Sequence, residues 1–321
     1  METNLAPATP VLPQRISLGE TTLKISPLGI GTWQWGDRFW GYGQGSYTDA
    51  DLQAVFVESL KAGINFFDTA ESYGGGRSEI LLGHSLRSSD QQPVVATKFM
   101  TYPWRISRSN LIHYLNNSLK RLGLDHVDLY QIHWPFPPRS VETWAEALAD
   151  AVQAGLTRAV GVSNFSLDQM RRTYQVLAKH GIPLASNQVR FNLLSRRPEK
   201  MGLLQACNEM GVTLIAYSPL SQGLLSGKYT PENPIQGRRG LGHNHLLAQV
   251  QPLIELMREI SQAHGGKSPA QVALNWVMAK KAVPIPGAKN LRQCQEVIGA
   301  MGWSLSENEV AALDVASDRI H

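Results

Sequence analysis

The sequence is poor in cysteine. Cys207 and Cys294 are the only two among 321 residues, and they stand far apart. That excludes a disulfide framework and a Cys-x-x-Cys metal site, and it fits a reducing compartment. Charge is also sparse: Asp, Glu, Lys and Arg make up 17%, against roughly 25% in an average domain. Disorder driven by charge is therefore excluded, and with 43% apolar residues the chain can bury a large core. No apolar run reaches the ~18 residues that a membrane span requires, so no membrane partner is expected. No G-x-G-x-x-G follows a strand-like run and no G-x-x-x-x-G-K-[ST] occurs, which leaves Rossmann and P-loop sites without support. Gly161-Val162-Ser163-Asn164-Phe165 lacks the second glycine of a nucleophile elbow. His243 and His245 have no carboxylate or cysteine partner at ligand spacing, so no metal is expected. The net charge is only +4. That does not point to nucleic acid, but it is compatible with a local basic site for an anionic small molecule.

The stretch from Met1 to Gln14 is rich in Pro, Ala and Thr and carries Glu2. It has neither the basic start and apolar core of a signal peptide nor the arginines of a transit peptide. The expectation is a disordered tail over residues 1–14, a barrel domain over 15–321, and a cytoplasmic location.

What is present is a strong rhythm. Strand-like runs fall at Leu28–Thr32, Ile64–Thr69, Val94–Lys98, Val127–His133, Ala159–Ser163, Ala185–Arg190, Thr213–Ser218 and Val283–Pro286. Helical patterns lie between them, at Asp49–Ala62, Ser78–Leu86, Ser107–Leu122, Val141–Ala154, Ser166–His180 and Glu199–Met210. Thr48, Ser107, Ser140 and Ser166 are placed to cap helices. Starts at 64, 94, 127, 159, 185 and 213 repeat at about the ~30 residues of one βαβ unit. Eight such units give an α/β fold, a single-domain (β/α)8 TIM barrel; a doubly wound open sheet is the rival. The gap between the strands starting at 213 and 283 must hold a loop and two extra helices, Leu246–Ala263 and Pro269–Lys281. Ahead of the barrel, Arg15–Leu23 reads as a hairpin turning at Gly19-Glu20.

Asp68, Lys98 and His133 end three consecutive strand runs, and Tyr73 sits on the loop after Asp68. A barrel gathers the C-terminal ends of its strands on one face, where active sites form. Tyrosine is a weak acid at neutral pH, with a reference pKa of ~10. An ammonium beside it lowers that value, and Asp68 is placed to hold Lys98 there. Tyr73 would then serve as general acid for a developing oxyanion, with His133 donating to the same oxygen. This set suits reduction of an aldehyde or ketone by hydride.

Phe67-Asp68-Thr69-Ala70-Glu71-Ser72-Tyr73, Ala96-Thr97-Lys98-Phe99 and Gly161-Val162-Ser163-Asn164-Phe165, with Ala216-Tyr217-Ser218-Pro219-Leu220 and Ile285-Pro286-Gly287-Ala288-Lys289, resemble the aldo-keto reductases. The likeness runs from about Gly29 to Trp303. It implies a monomer-competent barrel that uses NADPH/NADP+ and takes a small-molecule carbonyl substrate. The family's Asp-Tyr-Lys-His tetrad falls on Asp68, Tyr73, Lys98 and His133. By the same resemblance Ser163, Asn164 and Gln188 hold the nicotinamide amide, Tyr217 stacks on its ring, and Thr32 and Trp33 flank the cofactor. Ser218, Pro219, Leu220, Ser221 and Gly223 follow the pyrophosphate, with Lys228 as a further contact; Arg238 or Arg239, in the long loop, is a candidate clamp on the cofactor, the alternative being a solvated arginine pair. Gly287, Lys289, Gln293 and Glu296 take the adenosine end, Lys289 facing a 2′-phosphate. The family usually has Asn where this chain has Val297, so one polar contact to adenine is expected to be missing.

Trp33, Trp35, Trp104 and Trp134 lie on loops after strand runs and are candidates for an aromatic substrate pocket. The long forms around Trp33 and Tyr102-Pro103-Trp104-Arg105 resemble a plant-plastid and cyanobacterial branch that includes pyridoxal-reductase-like members. The alternative is a regulatory barrel that binds the cofactor but acts mainly through a protein partner. Relatives of that kind lack the histidine found here at His133.

Overall fold

A computed structural model of the chain describes residues 13–320, the side chains of Arg238 and Arg239 excepted. The expectation of a disordered tail over 1–14 thus falls, for residues 1–12, outside the described residues. A short antiparallel hairpin comes first, β1 (Ile16–Ser17) and β2 (Lys24–Ile25), with Ile16 opposite Ile25. Its return strand therefore lies beyond the expected limit of Leu23. Leu18, Leu23 and Ile25 are fully or almost fully buried in the cluster that fills the barrel interior, with Phe66, Leu129 and Ile215. The Gly19 amide donates to the Thr213 hydroxyl at 2.7 Å. The hairpin is thus a plug for the end of the barrel opposite the site.

Eight parallel strands follow: β3 (Ile30–Gly31), β4 (Phe66–Asp68), β5 (Val94–Phe99), β6 (Val127–Ile132), β7 (Thr157–Ser163), β8 (Leu184–Arg190), β9 (Thr213–Tyr217) and β10 (Val283–Ile285). They pair in sequence order, β3 with β4 through to β9 with β10. The ring closes where the amides of Gly29 and Gly31 donate to the carbonyls of Pro284 and Pro286, both at 3.0 Å. Proline cannot donate to a ladder, so these residues serve the seam by accepting only. Residue 31 has to be small, because a Cβ there would stand 2.8 Å from the Ile285 carbonyl oxygen. Every residue of β5 is buried, as expected for a parallel strand covered on both faces.

The helices are α1 (Asp49–Lys61), α2 (Arg77–Arg87), α3 (Arg108–Leu122), α4 (Val141–Gln153), α5 (Leu167–Lys179), α6 (Arg197–Lys200), α7 (Leu203–Glu209), α8 (Arg238–Leu241), α9 (Leu247–Ala263), α10 (Pro269–Ala279), α11 (Leu291–Ile298) and α12 (Glu307–Asp318). Thr48, Ser107, Ser140 and Ser166 are all N-caps, and the first, second and fourth complete capping boxes. Each such cap is worth roughly 1 kcal/mol against alanine. Ring pairs such as Phe56–Phe67 and Phe99–Trp144 join helix to strand, and burying one such side chain contributes about 1.5–3 kcal/mol.

One expected helix is two. The run Glu199–Met210 breaks at Gly202, whose φ of 74° is left-handed, a conformation that stops a helix. Among the described residues no helix is long and apolar enough to cross a membrane, and no cluster of metal-ligating side chains occurs.

Candidate active site at the carboxyl ends of the strands

Lys98, from β5, is wholly buried and points inward at the top of the barrel. Its Nζ donates to Asp68 Oδ1 at 2.5 Å, to the Thr69 carbonyl at 2.8 Å and to the Tyr73 hydroxyl at 3.2 Å. Asp68 Oδ2 accepts from Gln188 Nε2 at 2.7 Å and from Gln131 Nε2 at 3.3 Å. The buried carboxylate is thus paired with one ammonium and two amides, the partnering that a buried charge requires. The Tyr73 and His133 rings meet edge to face, 5.7 Å between centroids. Ser72 Oγ lies 3.4 Å from His133 Nδ1. The four residues of the expected tetrad therefore stand together.

The electrostatics depart from expectation at one point. Burial pushes the Tyr73 phenol above its ordinary value, and the adjacent Lys98 pulls it down without cancelling that effect. Lys98 itself is raised: burial opposes its charge, but the fields of Asp68 and Tyr73 outweigh it. His133 is held well below its ordinary value, first by burial and then by the Lys98 charge. At neutral pH the site thus holds a protonated phenol, an ammonium and a neutral imidazole.

A cavity of about 920 Å³ opens above the tetrad. Asp68, Tyr73 and His133 line it, and so do Ser163, Asn164, Gln188 and Tyr217 from the ends of β7, β8 and β9. Asn164 Nδ2 donates to the His133 carbonyl at 3.1 Å and to Ser163 Oγ at 3.0 Å, while its Oδ1 accepts from the Tyr217 hydroxyl at 3.0 Å. The cavity then runs along Ser218, Pro219, Leu220, Gly223 and Lys228 to Gly287, Lys289, Gln293 and Glu296. Ser218, Ser221 and Gln222 are non-glycine residues with φ near 50°, a strained arrangement of the kind that clusters at functional sites. Asn290 caps α11 through Gln293 N. Lys289 Nζ donates to the Trp40 carbonyl at 3.0 Å.

Several expected contacts lie elsewhere. Thr32 is buried beneath the cavity, donating to the Asp68 carbonyl at 3.0 Å. Ser221 is buried in the loop wall and does not line the cavity. Trp33 and Trp134 do line it, but Trp35 does not: its ring is fully buried and its Nε1 donates to the Ala288 carbonyl at 3.0 Å. Trp104 is 70% exposed, outside the cavity, and stacked on Tyr102. Arg238 has its side chain outside the described residues. The sequence reading also overlooked Gln34, Ser72, Met100, Ser268 and Arg292, all of which line the cavity. Only Arg292 carried a signal, being one helical turn beyond Lys289 at a helix start.

The model of the aldo/keto reductase family matches residues 27–318. The chain belongs to the aldo/keto reductase family. It is 40% identical to the chloroplastic pyridoxal reductase of Arabidopsis thaliana over 319 residues, covering 95% of this chain and 86% of that protein. It is 31% identical to the L-glyceraldehyde 3-phosphate reductase of Escherichia coli strain K12, covering 92% and 90%. A glycerol dehydrogenase structure from Gluconobacter oxydans superposes with a TM-score of 0.82 at 28% identity, covering 95% of each chain. A thermostable aldo-keto reductase solved with the inhibitor epalrestat gives 0.77 at 32% identity, covering 94% of this chain and 99% of that one. This aldo-keto reductase is accordingly an oxidoreductase of the NAD(P)H-dependent, carbonyl-reducing kind, with a (β/α)8 barrel.

Proposed function

We propose that the protein reduces aldehydes and ketones to alcohols with NADPH, and that Tyr73 is the general acid. The observation that carries this is the convergence of the Tyr73 hydroxyl, the Lys98 ammonium and the His133 imidazole beside one long cavity. Reduced nicotinamide dinucleotide, when bound, supplies a hydride. Tyr73 donates its proton to the carbonyl oxygen as that oxygen gains charge. Lys98, fixed by Asp68, stabilises the phenolate left behind. His133, neutral, donates a hydrogen bond to the same oxygen.

The donor set along the cavity fits such a cofactor. Amides and a hydroxyl (Asn164, Gln188, Ser163) lie at the tetrad end, and Lys228, Lys289 and Arg292 line the remainder. In this reading Tyr217 stacks on the nicotinamide. Residues 218–223 follow the pyrophosphate, and the start of α11 takes the adenosine end, where free amides favour anions. Lys289 and Arg292 support NADPH over NADH. Val297, buried against the cavity, offers adenine no polar group.

Residues 15–321 act as one barrel domain in this account, and as a monomer, since one chain supplies the tetrad and the cavity. The two buried free thiols support a reducing compartment, the cytoplasm. Trp33 and Trp134 on the substrate side, together with the 40%-identical pyridoxal reductase, support a planar aromatic aldehyde such as pyridoxal. The test is NADPH oxidation with an aldehyde panel containing pyridoxal, 4-nitrobenzaldehyde and a short aliphatic aldehyde. Turnover fastest with the aromatic members supports the proposal; no turnover with any member refutes it.

A further inference from the structure

Glu71 stands two residues before Tyr73, and its side chain is 6% exposed. It forms a buried ion pair with Arg105, whose side chain is 9% exposed. The same Glu71 oxygen accepts from the Met100 amide at 2.7 Å, and Arg105 Nη1 donates to the Met100 carbonyl at 2.9 Å. The guanidinium carbon lies 3.3 Å from the centre of the Tyr114 ring and 4.9 Å from that of Tyr102. Both partners thus grip the segment Met100–Arg105, which begins two residues after Lys98. That segment in turn holds the loop bearing Trp134: Thr101 Oγ1 donates to the Trp134 carbonyl at 2.5 Å and accepts from the Phe136 amide at 3.2 Å.

A buried ion pair is a weak source of net stability, because two charges must be desolvated. Burial raises Glu71 above the ordinary carboxylate range despite Arg105. The pair is better explained by what it joins. One continuous set of contacts runs from the Tyr73 loop through Glu71, Arg105 and Thr101 to the aromatic wall at Trp134. We infer that Glu71 and Arg105 are positioning residues that fix the acid Tyr73 relative to the substrate wall formed by Met100 and Trp134. The inference rests on the carbonyl-reduction reading above. Neither residue touches the reacting atoms; each acts through the loop it holds.

The test compares wild type with Glu71→Gln, Arg105→Met, Arg105→Lys and the double variant Glu71→Gln/Arg105→Met. NADPH and 4-nitrobenzaldehyde are the probes. The readouts are single-turnover rate, KM for the aldehyde, and cofactor Kd from tryptophan fluorescence. Displacing an acid by about an ångström can cost up to ~100-fold, so Glu71→Gln and Arg105→Met are expected to slow the single-turnover step by at least ~10-fold. KM should rise while cofactor Kd stays within about twofold, since the cofactor end is untouched, and Arg105→Lys should recover part of the rate. If a single variant does not fold, the double variant, which leaves no lone buried charge, carries the test with the same expected loss. Unchanged rates in folded variants overturn the inference. So does a loss of cofactor affinity that parallels the loss of rate, which marks a general structural role. A wild-type protein inactive on every aldehyde overturns the carbonyl-reduction reading and the inference together. An active wild type with unaffected variants overturns the inference alone.

Discussion

Replacing Lys98 with methionine leaves the Asp68 carboxylate buried without its ammonium. Oδ2 keeps its bonds to Gln188 and Gln131, at 2.7 and 3.3 Å, but Oδ1 loses its 2.5 Å partner. Breaking a buried pair typically costs 3–5 kcal/mol; with two amides still bound, about 3 kcal/mol is expected. Asp68→Asn leaves the ammonium with only the Thr69 carbonyl and the Tyr73 hydroxyl, and a similar cost of about 3 kcal/mol follows. Independent sites would sum to about 6 kcal/mol, but the double variant buries no unpaired charge and should cost no more than either single variant, at most about 3, a coupling of at least about 3. Chains of this kind have about 5–15 kcal/mol of stability, so each variant remains measurable. Urea unfolding followed by fluorescence of the eight tryptophans gives all four corners of the cycle. A Lys98→Met variant within about 1 kcal/mol of wild type, or a strictly additive double variant, would refute the reasoning.

Other outcomes follow from the same geometry. Because burial and Lys98 hold His133 well below 6.5, the pH profile of reduction should show no ionisation near 6.5. The unfolded chain, unlike the folded one, takes up that proton below 6.5. Stability should therefore fall as pH drops from 6.5 toward the depressed folded value, with a slope of at most ~1.4 kcal/mol per pH unit from this group; urea midpoints between pH 7 and 5 test this, and a His133→Gln control should lose that part of the response. Lys289→Met should weaken NADPH binding at least ~10-fold and leave NADH nearly unchanged, given a lost charge-assisted contact of about 1.5–3 kcal/mol; equal effects on both cofactors would contradict the 2′-phosphate assignment. Gly83→Ala would place a Cβ 2.5 Å from the Leu122 carbonyl oxygen, where α2 packs on α3, and overpacking against backbone should cost about 1–3 kcal/mol by urea unfolding.

The strands were legible because a parallel barrel covers both faces of each strand, leaving short, nearly continuous apolar runs such as Val94–Phe99. The caps were legible because Ser and Thr bond the first free amides in a fixed local pattern. The convergence of Asp68, Lys98 and His133 could be read from strand-end positions, since the barrel brings those ends together, with Tyr73 on the loop that follows Asp68. The direction in which a loop side chain points was not legible. Trp33 and Trp35 are two residues apart, yet one lines the cavity and the other is sealed in the core by its bond to Ala288. Glu71 and Arg105 are 34 residues apart, and nothing local joins them. At Tyr73 the ammonium does pull the phenol down, but burial, which sequence does not report, outweighs it. Gly202 did carry a signal for the break between α6 and α7, one that helical periodicity masked.

The central claim is that Tyr73 delivers the proton. Tyr73→Phe removes only its hydroxyl, leaving the ring against His133 and Lys98 beside Asp68. The measurement is kcat for NADPH-driven reduction of an aromatic aldehyde, with cofactor binding followed in parallel by tryptophan fluorescence. The account predicts a loss of at least ~10²-fold in kcat with cofactor quenching intact. Full activity in the variant would contradict it.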